Sequence, residues 1–135
     1  MIVVDTSALA AILFREPESD AFLGVMRRAG SVLISTASVL ETRMVTYGRL
    51  GHRGTVLFDD LLSSGVFEMV PPDEALVGMA FNAFVAYGKG SGHPANLNFG
   101  DVFSYALAKS RGLPLLFKGD DFSRTDIRSA LRPLS

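Results

Sequence analysis

The sequence predicts an α/β fold of three layers, with helices over both faces of a mostly parallel central sheet. Three observations carry that expectation. Ile2, Val3 and Val4, then Val32, Leu33 and Ile34, then Leu115, Leu116 and Phe117 are continuous apolar runs suited to strands covered on both faces. Longer stretches between them place apolar residues at helical spacing, and strands that alternate with helices join by right-handed crossovers. No repeat, low-complexity tract or linker interrupts the 135 residues. Residues 1–135 are therefore expected to form one domain, large enough to bury roughly two-thirds of its unfolded surface.

Taken in order, β-branched Ile2, Val3 and Val4 suit a central strand. Asp5 ends it, and Thr6 and Ser7 open a helix over residues 8–14. Glu16, Pro17 and Glu18 mark a turn and the acidic start of a second helix, which runs to Arg28 and closes at Gly30. Val32, Leu33 and Ile34 form the second strand. Ser35, Thr36 and Ser38 are candidate caps for the helix holding Leu40, Met44 and Tyr47. Gly48, Gly51 and Gly54 predict a turn around His52 and Arg53. Leu57, Phe58, Leu61 and Leu62 then share a helical face that ends at Gly65.

Residues 67–70 are the third strand, stopped by Pro71 and Pro72. Asp73 caps a helix striped by Leu76, Met79, Ala80, Ala83, Phe84 and Tyr87. Residues 88–95 hold Gly88, Gly90, Gly92 and Pro94 and read as loop. Asn98 caps a helix with Val102, Phe103, Ala106 and Leu107 on one face, and Phe99 and Phe103 are expected to pair in the core. Gly112 and Pro114 stop that helix before the last strand. A short helix is expected after Phe122, and the tail from Arg132 is expected to be loose.

A net charge of −1 gives no bulk attraction for nucleic acid or an acidic membrane, so a polyanion would have to be held by local basic groups or a bound metal. The absence of cysteine excludes a disulfide framework and a thiolate zinc site, and fits a reducing compartment. The first residues carry an acid inside their apolar stretch and no basic leader, and no window approaches the roughly 18 apolar residues of a membrane span. A soluble, cytoplasmic protein with no membrane partner is expected.

The acids supply the functional signal. Open parallel sheets form their sites outside the carboxyl ends of the strands. Asp5 follows the first strand and Asp120 and Asp121 follow the last. Glu41 lies in the helix after the second strand, and Asp101 at the start of the helix before the last. Carboxylates gathered at one edge repel and raise one another's pKa, and a hard divalent cation removes that cost. Oxygen-only ligands select Mg2+ or Mn2+ over zinc, and such a site activates water for phosphodiester hydrolysis.

Each acid also has a structural use. Asp5 can cap the first helix, and Glu41 stands at capping-box spacing from Ser38. Asp101 can complement a helix dipole, and Asp120 or Asp121 can cap the last helix. Four acids in equivalent places favour the metal site. His93 reads as a loop residue and His52 as solvated, because no second His stands at metal spacing. Lys89, Lys118 and Arg124 flank the acidic loops as candidates for a nucleic-acid backbone. Asp20 and Asp126 read as surface or helix-start acids.

Four separated motifs resemble, in order, those of PIN-domain ribonucleases, the VapC-type toxins of type II toxin–antitoxin systems. They are Val3-Val4-Asp5-Thr6-Ser7, Glu41 after a strand–helix junction, Leu97-Asn98-Phe99-Gly100-Asp101, and Leu115-Leu116-Phe117-Lys118-Gly119-Asp120-Asp121-Phe122. The resemblance covers nearly the whole chain. It implies a PIN-like domain and an Mg2+- or Mn2+-dependent endoribonuclease, usually homodimeric, held inactive by a cognate VapB-like antitoxin. By position it makes Asp5 and Asp101 the metal ligands and Glu41 the third acid, with Thr6 or Ser7 supporting metal or phosphate.

The family's single Asp before Phe matches Asp121, while Asp120 stands where many members have another polar residue. Thr42 and Arg43 replace the small or apolar residues common after Glu41, so a basic side chain is expected near the site. Other readings fit less well. A haloacid-type phosphatase needs a second Asp where Ser7 stands. A phospho-acceptor receiver needs an Asp where Pro71 and Pro72 stand. A PIN-type nuclease outside a toxin–antitoxin system, or a non-catalytic α/β binding domain whose acids only cap helices, remains as the alternative.

Overall fold

The computed structural model describes residues 1–131; the tail from Arg132, expected to be loose, lies outside the described residues. Strands β1 (Ile2–Val4), β2 (Val32–Ser35), β3 (Phe67–Val70) and β4 (Leu115–Leu116) form an all-parallel sheet in the order β3-β2-β1-β4. Ile2 lies opposite Val32, Val3 opposite Leu33 and Leu115, and Val4 opposite Leu116. Helices α1 (Thr6–Leu13), α2 (Ser19–Ala29), α3 (Thr36–Leu50), α4 (His52–Leu62), α5 (Glu74–Tyr87) and α6 (Phe99–Arg111) connect them, and residues Phe122–Arg124 form a 3-10 turn.

Alternation along each strand divides the interior into two cores. Val3, Leu33 and Leu115 point toward α5 and α6. Ile2, Val4, Val32, Ile34 and Leu116 point the other way, onto Leu9, Phe22 and Phe58 of α1, α2 and α4. Both faces being covered is why these strands read as unbroken apolar runs. The chain leaves β1 toward β2 and β3, then returns past them to β4 on the far side. The crevice between β1 and β4 is thus the switch point at which ligand sites form in such sheets.

Several local expectations are corrected. Gly48 and Gly54 lie inside α3 and α4, and only Gly51, at φ 64°, makes the break. Gly54 is there for approach: a side chain on it would meet the Thr46 carbonyl oxygen at 2.6 Å. Ser35, not Ser38, caps α3 by accepting from the Ala37 N–H, so Ser38 and Glu41 form no capping box. The helix expected after Phe122 is a single 3-10 turn. Phe99 is 79% exposed and does not enter the core, although its ring meets Phe103 edge to face at 5.2 Å.

Helix α3 turns its large apolar residues outward: Leu40, Met44 and Tyr47 are 60%, 65% and 53% exposed. Its inner face is instead Ser38, Val39, Thr42 and Thr46. The hydroxyls there are satisfied within the protein, Thr42 donating to the Ser38 carbonyl at 2.7 Å and Thr46 to the Thr42 carbonyl at 2.8 Å. That satisfaction is what lets a polar face be buried.

Candidate active site

Asp5 leaves β1 with extended backbone, φ −95° and ψ 156°, and caps α1 by accepting from the Ser7 N–H at 3.0 Å on Oδ2. Its Oδ1 accepts a 2.6 Å bond from the Ser104 hydroxyl of α6. The backbone of Asp5 donates to the Leu116 carbonyl at 3.0 Å, and the Lys118 N–H donates to Ser7 Oγ at 3.0 Å. These bonds seat the start of α1 against the exit of β4. Asp5 is buried, and burial pushes its carboxyl above the usual range against the lowering pull of Ser104 and Ser7. Capping α1 therefore does not compete with the metal-site reading, since Asp5 caps the helix from the end of β1.

A chain of hydroxyls continues from Asp5. Ser104 Oγ lies 3.2 Å from Ser38 Oγ, Thr42 Oγ1 lies 3.2 Å from Thr6 Oγ1, and Thr6 donates to the Ser38 carbonyl at 3.3 Å. Thr6, a predicted support for metal or phosphate, thus ties α1 to α3. Beside it stands Glu41, whose carboxyl is raised chiefly by burial and also by the charge of Asp5, with Thr6 pulling the other way.

Asp101 opens α6 with a complete capping box. The Asp101 N–H donates to Asn98 Oδ1 at 2.9 Å and the Asn98 N–H to Asp101 Oδ2 at 3.0 Å. Its carboxyl is pushed up to about 7, first by burial, then by the charges of Asp5, Asp121 and Glu41. Asp101 is therefore where the field of the other three acids is felt. Of the two acids after β4, Asp121 contributes to that repulsion. Both are exposed, and Asp120 also accepts at its backbone carbonyl from Ser123 Oγ, 2.6 Å.

The basic candidates fare differently. Lys118 pairs with Glu16 and Glu18, each at 3.1 Å, binding the exit of β4 to the α1–α2 turn. Arg124 donates to the Pro94 carbonyl at 3.3 Å. Lys89 stands exposed in the glycine-rich loop. Arg43, expected near the site, turns away to Asp59 at 2.5 Å and lies over the Phe58 ring. His93 is a loop residue as expected, its Nδ1 accepting from the Ala95 N–H at 3.0 Å. Asp126, expected at the surface, accepts from Tyr105 at 2.5 Å and Lys109 at 2.6 Å.

Oxygen-only carboxylates that repel one another when empty fit a hard divalent cation. Among the described residues no three acidic or imidazole side chains already surround a common point. The bonds of Asp5 to Ser104 and Ser7, and of Asp101 to Asn98, nevertheless leave each carboxylate oxygen a further lone pair.

Sequence reasoning missed Ser104, although a serine among Val102, Phe103, Tyr105 and Ala106 on a core-facing helix was a signal. Ser104→Ala should leave a buried carboxylate and the Ser38 hydroxyl each short of a partner. A loss of about 1–3 kcal/mol is expected in urea denaturation. Ser110→Ala, on the exposed end of the same helix, should stay within about 0.5 kcal/mol.

The family model for the PIN domain matches residues 2–128. Ribonuclease VapC30 of Mycobacterium tuberculosis is 43% identical over 132 residues, covering 98% of this chain and 100% of the relative. The crystal structure of Mycobacterium tuberculosis VapC20, described as a sarcin-ricin loop cleaving toxin, is similar with a TM-score of 0.78. It is 22% identical, over 94% of this chain and 96% of that one. A chain of a toxin-antitoxin complex from Klebsiella pneumoniae is similar with a TM-score of 0.68 at 18% identity, over 91% of both chains.

Proposed function

We propose that this chain, which belongs to the PIN-domain family and within it to the VapC ribonucleases, is an endoribonuclease toxin restrained by a cognate antitoxin. The observation that carries the reading is the placement of Asp5, Glu41, Asp101 and Asp121 around the β1–β4 switch point, with Asp101 under the charge of the other three. The identity to Ribonuclease VapC30 over nearly the full length of both chains supports the substrate class.

In this reading Asp5 and Asp101 hold a Mg2+ or Mn2+ ion, and Glu41 and Asp121 complete its shell or orient the attacking water. When bound, the ion supplies positive charge to the phosphate and lowers the pKa of coordinated water. Glu41, its carboxyl made more basic by burial, is the acid that takes the water's proton in this reading. Ser104, Thr6 and Ser7 keep Asp5 and Glu41 in place, and the cleaved product keeps a 5′-phosphate. Of the basic candidates for the RNA backbone Lys89 is exposed, whereas Lys118 and Arg124 already hold protein groups.

Residues 1–135 act as one PIN domain, as a homodimer in the cytoplasm. No helix among the described residues is long and apolar enough to cross a membrane. Two exposed apolar faces support protein partners: Leu40, Met44 and Tyr47 on α3, and Phe81, Phe84 and Phe99 across α5 and α6.

The test is cleavage of a mixed RNA pool by purified protein with Mn2+, with Mg2+ and with chelator. Cuts that need the metal are expected, and none under any metal would count against the activity. Asp121→Asn should lower the rate by about 100-fold or more, while Asp120→Asn should stay within about threefold. The reverse order would make Asp120 the fourth acid. Expression without the antitoxin should arrest growth, and co-expression should relieve it.

A further inference from the structure

We propose that Gly100 is a positioning residue for Glu41: the side chain it lacks is the space in which the Glu41 carboxylate stands. Gly100 is the second residue of α6, between the cap Asn98 and Asp101. Its φ is not positive, so the backbone there does not call for glycine, and glycine in a helix is less favourable than alanine. The reason has to be steric.

A methyl carbon added at Gly100 would stand 2.5 Å from Glu41 Cδ and 2.6 Å from Oε1, and nearer still to Oε2. All three of its nearest atoms belong to that one carboxylate. The contrast with the other tight glycines is informative. A methyl at Gly54 would meet the Thr46 backbone, and one at Gly88 would meet the Phe84 ring and carbonyl. Those glycines serve packing. Gly100 alone, among the described glycines, faces the end of an acid assigned to the site.

Because that end belongs to a flexible side chain, alanine at position 100 is accommodated by Glu41 swinging away. The carboxylate must retreat by more than about 1 Å to reach ordinary contact distance. The fold loses nothing and gains helix propensity, while the spacing of Glu41 from its neighbour Asp101 is spoiled. A displacement of that size at a reacting centre costs about 100-fold in rate. The catalytic part of this inference rests on the nuclease reading above; the steric part does not.

The test compares wild type, Gly100→Ala, Glu41→Asp and the double variant. Without metal, Gly100→Ala should melt at the wild-type temperature or a few degrees above it. Its metal-free crystal structure should show the Glu41 carboxylate displaced. Its Mn2+ affinity, by calorimetry, should fall at least about tenfold, and kcat about 100-fold with a smaller change in KM. Adding Glu41→Asp, an acid shorter by one methylene, should restore part of both, so the double variant exceeds Gly100→Ala.

Wild-type affinity and kcat in Gly100→Ala, an undisplaced Glu41, or a double variant no better than Gly100→Ala overturns the proposal. If the wild-type protein neither binds Mn2+ nor cleaves RNA, the nuclease reading fails instead. The crystal structure of Gly100→Ala then decides the steric proposal, upholding it if Glu41 has moved and overturning it if not.

Discussion

Asp101→Asn is expected to abolish RNA cleavage, by at least about 1,000-fold or roughly 4 kcal/mol of transition-state stabilisation, and to leave the fold intact. The charge is what catalysis needs; the fold needs only the cap. Asparagine still offers an oxygen to the Asn98 N–H, and the residue 101 N–H still donates to Asn98 Oδ1, a bond that does not use the side chain of residue 101. Burial, then the charges of Asp5, Asp121 and Glu41, raise the Asp101 carboxyl from 3.8 to about 7.

A folded pKa above the unfolded one means that the folded state holds a proton the unfolded chain has released. The resulting stability is fully present below about pH 4 and is lost as pH rises to about 7. At pH 8 the wild type carries an unfavourable charge that the variant lacks. Without metal, Asp101→Asn should therefore melt higher at pH 8, and the gap should close by pH 4. Mn2+ should reverse the order at pH 8 by stabilising only the wild type. A variant that cleaves normally, or melts below wild type at pH 8, would remove Asp101 from the site.

Phe58→Ala is expected to have the largest effect on stability, a loss of about 3–5 kcal/mol. Phe58 is fully buried and joins α4 to the core formed with Leu9, Phe22 and Ile34. Its ring also carries the Arg43 guanidinium at 5.5 Å from the centroid. A domain of this size holds about 5–15 kcal/mol in all, so the urea midpoint should fall by a large fraction. Phe99→Ala should shift it by no more than about 0.5 kcal/mol, because that ring is mostly in solvent. Equal losses in the two variants would contradict the assignment of Phe58 to the core and Phe99 to the surface.

That pair of phenylalanines shows where reading the sequence stops. Both sit in stretches of helical periodicity, and period alone does not say which face meets the sheet. Helix α3 makes the same point more sharply. Leu40, Met44 and Tyr47 are its large apolar residues and face out, while the buried face includes Ser38, Thr42 and Thr46, closed by bonds to carbonyls and to Thr6. Gly48 and Gly54 look like turn residues and lie within helices, Gly54 because α3 passes too close for a side chain.

The sequence by itself determined the order of strands and helices, the caps at Asp73 and Asn98, and the placing of acids at strand ends and helix starts. These are local properties: apolar runs, capping side chains and glycine or proline stops act within a few residues. It also determined that any metal would be a hard one, since the candidate site offers only oxygen. Only the tertiary structure decided that Ser104 bonds Asp5 across 99 residues, that Lys118 is held by Glu16 and Glu18, and that Glu41 stands in the space left by Gly100. The physical reason is common to all three. They depend on how α1, the turn after it, α3, α6 and the exit of β4 meet at the edge of the sheet, and that is set by packing across the sheet's two faces rather than by any pattern along the chain.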